Sequence, residues 1–315
     1  MLQSIWDDAK RELSRGNMIT QLIIINVAVF VIINLVRLFF FLGNGGSVPE
    51  LYSTILHFFC MSSDWKFFLT HPWGMFTSMF LHEGFWHLLW NMLFLYWFGR
   101  IVGDFIGDQR ILPLYLLGGL MGAVVFFISA NLLPYGMGGR FALGASAGVM
   151  AIVVAAGTIS PDYIMRLLLL GDVKLKYIVA VLVFLDLILI PNGGNTGGHF
   201  AHLGGAFFGW LFVTQLRNGN DLSEPVNNIL DRIRDFYDRI TSGKSKGRRP
   251  KVVYRNPNRQ RSTTSSRGQA ASDTNNGNSS AYQEKLDKIL DKIKDSGYDS
   301  LTKEEKEFLF NASKR

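Results

Sequence analysis

The sequence predicts an all-α membrane protein, a bundle of six transmembrane helices followed by a cytoplasmic helical tail. Three observations carry that prediction. Hydrophobic residues make up 48% of the 315, too many for an ordinary soluble domain. The long apolar runs are confined to residues 18–216, whereas 217–315 are polar and charged. Within the apolar part, six stretches approach the roughly 20 residues needed to cross about 30 Å of hydrocarbon.

Those stretches lie at 19–41, 84–103, 111–133, 144–160, 175–191 and 199–217. In the segment 160–190, the first part, Ile164–Tyr177, is read as an interfacial helix, with the fifth span starting near Lys176. The aromatic-rich stretch 44–83, with Trp65, Trp73, Phe76 and Phe80, suits a headgroup-level belt better than a span. The N-terminal residues are charged and show no small-residue cleavage site, so the first span is expected to be retained. The organisation expected is an N-terminal cytoplasmic segment (1–18), a six-span membrane domain (19–217), an amphipathic cytoplasmic helix (218–241), a basic disordered linker (242–281) and a small helical module (282–315).

Charge sets the orientation. The N-terminus, the second-to-third and the fourth-to-fifth connections carry eight Lys or Arg (Lys10, Arg11, Arg15, Arg100, Arg110, Arg166, Lys174, Lys176), against three on the other side (Arg37, Lys66, Arg140). Both termini are therefore expected in the cytoplasm, in the cell's inner membrane. The net charge of +7 is local: nine Lys or Arg and no Asp or Glu lie between Lys244 and Arg267. That run is suited to anionic lipid headgroups, and without it nothing supports nucleic-acid binding. The single cysteine, Cys60, excludes an internal disulfide.

Polar residues inside spans are expensive and so point to function. In the predicted orientation the second, fourth and sixth spans all run inward from the outer face. His87 and Asn91 are four apart on the second, Ser146 opens the fourth, and His199 and His202 open the sixth. Ser, His and Asn thus converge at one depth. Gly144-Ala145-Ser146-Ala147-Gly148 enters an Ala-rich span, and Gly205 with Gly209 forms a GxxxG after His202. Small residues on both spans allow close backbone approach, which a Ser–His hydrogen bond between helices requires. Asp186 on the fifth span invites the role of a triad acid beside Ser146 and His202, but it lies outside this set and is expected instead to be hydrated near the outer end.

Gly144-Ala145-Ser146, Ala201-His202-Leu203-Gly204-Gly205 and the His82…His87…Asn91 series resemble the motifs of the rhomboid intramembrane proteases across residues 19–217. The resemblance implies a rhomboid-like bundle and a Ser–His dyad: Ser146 as nucleophile and His202 as general base. His87, Asn91 and the backbone N–H groups of Ala145 and Ser146 would stabilise the oxyanion. It implies no metal or cofactor, and single-span transmembrane proteins as substrates. Three positions depart from the family pattern: Ala147 where Gly is common after the serine, Gly74 in place of Arg after Trp73, and Met150 in place of an aromatic.

The uncharged, Gly-rich residues 191–198 are expected to form a mobile cap over the dyad. In the tail, Leu286, Ile289, Leu290 and Ile293 form a helical stripe ended by Gly297, and Thr302 with Glu305 makes a capping box. This module is similar to one attached to some bacterial rhomboids, particularly of Bacteroidetes. Two alternatives stay open: a catalytically inactive rhomboid-like membrane adaptor, which Ala147 favours, and a transporter or channel, which would need polar groups through both leaflets.

Overall fold

A computed structural model describes residues 17–133, 141–167, 171–192, 195–242, 285–289, 291–293 and 300–312. The chain divides into two compact units, Met1–Gly247 and Arg248–Arg315. The first unit is mostly helical. Its six main helices are α1 (Met18–Gly43), α5 (Phe85–Ile106), α6 (Ile111–Leu132), α7 (Ser146–Ile159), α8 (Leu175–Leu189) and α9 (Thr196–Arg217). Between α1 and α5 lie the shorter α2 (Glu50–Phe59), α3 (Trp65–Thr70) and α4 (Gly74–Thr77), and α10 (Glu224–Ser242) follows α9.

Helices therefore stand at all six positions expected for spans. By length and composition, two of the described helical stretches are able to cross a membrane on their own: Met18–Gly43 and Asp108–Leu132. Ser146–Ile159 is apolar but shorter. The reason lies in what the others carry. The polar residues His87, Asn91, Arg100 and Asp104 lower the apolarity of α5, glycines and histidines lower that of α9, and α8 has only 15 residues. The outward faces remain apolar, with Phe39, Leu42 and Leu132 among the most exposed large side chains. Contiguous apolar surface of that kind marks contact with a non-aqueous partner.

Helix α7 sits at the centre, its Ala147–Ala156 run buried without a break. Two rows of small residues bring its neighbours to backbone contact. On α9, a side chain at Gly205 or Gly209 would collide with the carbonyl oxygens of Ala147 and Ala151. On α6, Gly118 faces the Ala151 methyl, and a Cβ at Gly122 would lie 2.5 Å from that of Ala147. Gly148 in turn lies against the Tyr115 carbonyl, where a Cβ would sit at 2.6 Å. Both seams follow from the preference for small residues where helices pack without a hydrophobic driving force.

The aromatic stretch between α1 and α5 is folded rather than draped. Trp73 Nε1 donates to the Phe58 carbonyl at 2.8 Å and Thr77 Oγ1 to the Phe59 carbonyl at 2.6 Å. The strand β1 (Met61–Ser62) pairs antiparallel with β2 (Phe141–Ala142), so this layer is tied to the segment that leads into Ser146. Tyr115, fully buried, donates to the Met79 carbonyl at 2.7 Å and thereby anchors the layer to α6.

Within Ile164–Tyr177, the part up to Lys174 corrects the expectation of an interfacial helix. It contains an antiparallel pair, β3 (Ile164–Leu167) and β4 (Gly171–Lys174), in the register Ile164↔Lys174 to Leu167↔Gly171. Gly171 adopts φ +70°, which L side chains avoid, and Arg166 pairs across the strands with Asp172 at 3.0 Å. The fold is thus helical with two small ladders rather than purely α. At the same end of the first unit, Arg110 pairs with Asp221 at 2.7 Å, and Asp108 accepts from the Met18 N–H at 2.9 Å.

Along α10, Ile229, Ile233, Phe236 and Ile240 project one exposed apolar stripe. In the second unit, residues 285–289 and 291–293 are helical and α11 spans Lys303–Ala312. The Thr302 N–H donates to Glu305 at 2.8 Å and the Glu305 N–H to Thr302 Oγ1 at 3.3 Å, which is the reciprocal capping box. Lys292 reaches Glu305 at 2.9 Å, and Ile289 and Leu301 are buried. Leu290, Gly297 and the basic run 244–267 lie outside the described residues.

Candidate active site

Helices α5, α7 and α9 bring their N-terminal turns to one cavity of about 380 Å³. Its lining includes His87, Gly144, Ser146, Asn195, Gly198 and His202. Ser146 is the first residue of α7, where backbone N–H groups have no intrahelical acceptor. A second cavity of about 410 Å³ reaches Ser146, Asn91 and His202 from the side, between Trp86 and Trp90 of α5 and Leu182 and Leu185 of α8. The site is therefore open both along the bundle and laterally.

The turn before Ser146 is shaped by glycine. Gly144 has φ +129°, donates its N–H to the Ser78 carbonyl at 2.9 Å, and lies so close to the His87 ring that a Cβ would fall 2.8 Å from its Cε1. A side chain here would be strained and would displace His87. The Ala145 N–H donates to His82 Nε2 at 3.3 Å, so the backbone donor next to Ser146 is engaged by a buried ring. The Asn91 amide nitrogen donates to the His87 carbonyl at 2.8 Å. His82 lies before α5, 1% exposed, and burial, reinforced by the neighbouring His87, pushes it down to about 4.

His202 is the seventh residue of α9, nearly two turns in. Its Nδ1 lies 2.8 Å from Asp186 Oδ1, and His199 Nδ1 reaches the same oxygen at 2.8 Å. Asp186 is not a hydrated residue at a span end: it is buried and belongs to the site, which corrects the expectation from its position on α8. The reason is rotational. Depth along α8 follows from the sequence, whereas the face that Asp186 presents follows from how α8 packs on α7 and α9, with Gly157 against Val179. Asp186, His199 and His202 set one oxygen and two ring nitrogens within 4.8 Å of one another, a set with the donor atoms to hold a metal ion. Two ring nitrogens already lie at hydrogen-bond distance from that carboxylate oxygen.

Among the described residues no hydrogen bond joins Ser146 Oγ to His202; the two share both cavities without that contact. Geometry of this kind is common before a substrate is bound, because catalytic hydrogen bonds tighten in the complex.

A family model described as the Rhomboid domain matches residues 69–218, which contain every residue of this site. Over those residues this chain is similar to rhomboid domains. Its curated relatives include the presenilin-associated rhomboid-like protein, mitochondrial, of Homo sapiens, 29% identical over 212 residues, which are 64% of this chain and 50% of that protein. RHOMBOID-like protein 12, mitochondrial, of Arabidopsis thaliana is 31% identical over 154 residues, 45% of this chain and 46% of that one. Rhomboid protease GluP of Bacillus subtilis (strain 168) is 28% identical over 136 residues, 43% of this chain and 25% of its own. The chain spans about half the length of the mitochondrial relatives it matches. Residues 273–315 match a family of unknown function (DUF6576).

Rhomboid domains are membrane-embedded, which accords with the apolar outer surface here. The structure brings Ser146, His202 and His87 to one cavity, and Ser146, Asn91 and His202 to the other. Sequence reasoning set Asp186 aside as a triad acid in favour of a hydrated side chain, and it missed His82 as the acceptor of the Ala145 N–H and Gly118 and Gly122 as the second small-residue seam. The Gly118–Gly122 spacing is itself a GxxxG, so that seam had a readable signal.

Proposed function

We propose that this chain is an intramembrane serine endopeptidase that cleaves transmembrane proteins near the outer membrane face with Ser146 and His202. The observation that carries this reading is the meeting of a helix-opening serine and a histidine in cavities reached from above and from the side. Six of the helices act as spans in this reading, and both termini lie in the cytoplasm. The cell's inner membrane is the setting, and residues 244–267 add attraction to anionic headgroups.

The chemistry follows from the positions. A serine hydroxyl becomes nucleophilic when a neighbouring base takes its proton. His202 takes the proton of Ser146 Oγ–H as Oγ attacks the scissile carbonyl, then passes it to the leaving amine. The oxyanion is stabilised by the Ser146 N–H at the start of α7, with His87 and Asn91 close by; one such donor is worth about 2.7–4 kcal/mol of barrier. A water molecule, activated by the same imidazole, completes hydrolysis. The lateral cavity between Trp86 and Leu185 gives an unwound segment of a substrate helix a route to Ser146 from the hydrocarbon.

Ala147 does not compel an inactive adaptor. Its methyl is accommodated where Gly122 leaves room. Fluorophosphonate labelling of the purified chain is expected to map to Ser146 and to vanish in Ser146→Ala, with at least a hundredfold loss of rate in His202→Ala. Labelling that persists in Ser146→Ala, or none in the wild type, would sink the protease reading.

A further inference from the structure

His202 Nδ1 and His199 Nδ1 lie 2.8 Å from the same oxygen of Asp186, and the three side chains are only 21%, 15% and 10% exposed. His199 and His202 are three apart on α9 and so share a face, which α8 meets with a single carboxylate. The protein has no need of this arrangement for packing, since a buried charge is costly unless it is hydrogen-bonded. An ionised carboxylate only accepts hydrogen bonds, and a neutral imidazole carries one N–H. Two rings on one carboxylate oxygen therefore both present Nδ1–H to it. The lone pair of His202 is then left on Nε2, the atom that a serine proton would reach.

We propose that Asp186 is a positioning residue that completes a Ser146–His202–Asp186 relay: it holds His202 by Nδ1–H and reserves Nε2 for the Ser146 proton. The inference rests on the protease reading for its use, though the tautomer it assigns to His202 does not. His199 is the second hydrogen-bond donor to the same oxygen; it keeps the carboxylate turned toward α9 when His202 moves during proton transfer. The relay extends the implied dyad, and its third member comes from a helix whose sequence pattern shows no motif.

The test uses the full chain in detergent and a fluorophosphonate probe, which reports on Ser146 without a known substrate. Asp186→Asn keeps the shape of the side chain but offers an N–H to Nδ1, which favours the wrong tautomer. The maximal labelling rate is expected to fall at least about tenfold, with half-saturating probe concentration unchanged within twofold and partial recovery in Asp186→Glu. Rates in Asp186→Asn within twofold of wild type would overturn the proposal, as would loss of wild-type labelling on addition of a chelator, which would make Asp186 a metal ligand. A second measurement needs no change at Asp186: nitrogen-15 NMR of histidine-labelled wild-type chain, with His202 assigned by its loss in His202→Gln. Nδ1–H on His202 supports the proposal and Nε2–H overturns it. Should wild-type Ser146 fail to label, the protease reading falls and the NMR result still decides how Asp186 holds His202.

Discussion

His82 shows how one buried side chain couples the site to pH. It accepts from the Ala145 N–H and is pushed down to about 4 by burial and by His87, against an ordinary value of 6.5. A histidine depressed in the folded state is protonated more readily in the unfolded one, so lowering the pH favours unfolding. The penalty begins near pH 6.5, grows to about 3 kcal/mol near pH 4, and is constant below that. Thermal unfolding in detergent is expected to show a falling midpoint from pH 7 to pH 4.5. His82→Gln, which keeps an acceptor for the Ala145 N–H but does not titrate, is expected to flatten part of that fall. Identical pH dependence in the two proteins would exclude His82 as the source.

Helix packing places the serine and histidine, and it does so through glycine. Gly205 and Gly209 hold α9 against the carbonyls of Ala147 and Ala151, one and five residues beyond Ser146. Gly205→Val adds atoms where backbone stands and where no side chain can yield. It is expected to cost roughly 1–3 kcal/mol of stability and to reduce Ser146 labelling at least tenfold, because α9 must move outward. Ala147→Gly tests the opposite change. It removes a methyl that Gly122 accommodates, and it costs about 1 kcal/mol through backbone freedom. Labelling is expected to stay within threefold of wild type; a large gain instead would show that the Ala147 methyl holds the site back. In the second unit, the Thr302–Glu305 box caps α11 locally and needs no tertiary support.

For the whole molecule the testable quantity is topology. Six spans with cytoplasmic termini place Lys66 outside, and Asp172 and the linker residue Ser265 inside. In a Cys60→Ser background, Lys66→Cys is expected to react with an impermeant maleimide in sealed right-side-out vesicles. Asp172→Cys and Ser265→Cys are expected to react only after permeabilisation. Asp172 and Lys66 on one side would require a different span count. One end of the first unit carries the Arg110–Asp221 pair, Asp108 on the start of α1 and the β3–β4 pair, while the other holds the cavities. The two ends thus differ in kind.

What the sequence determined by itself is whatever depends on local pattern. Apolar length placed six helices within a few residues, polar residues in apolar stretches marked Ser146, His202, His87 and Asn91, and the Gly205–Gly209 and Thr302–Glu305 spacings named a seam and a cap. Tertiary structure decided what depends on rotation about a helix axis. Each residue turns a helix face by about 100°, so depth alone left Asp186 indistinguishable from a hydrated side chain until α8 was docked. The same holds for His82 against Ala145, whose partners are 63 residues apart. The β3–β4 pair escaped the pattern because its apolar residues suit a helix as well as a strand, and cross-strand pairing at Arg166–Asp172 chose between them. Membership of the site was legible where chemistry is rare in hydrocarbon; the hydrogen bond that organises it became visible only once α8 and α9 met.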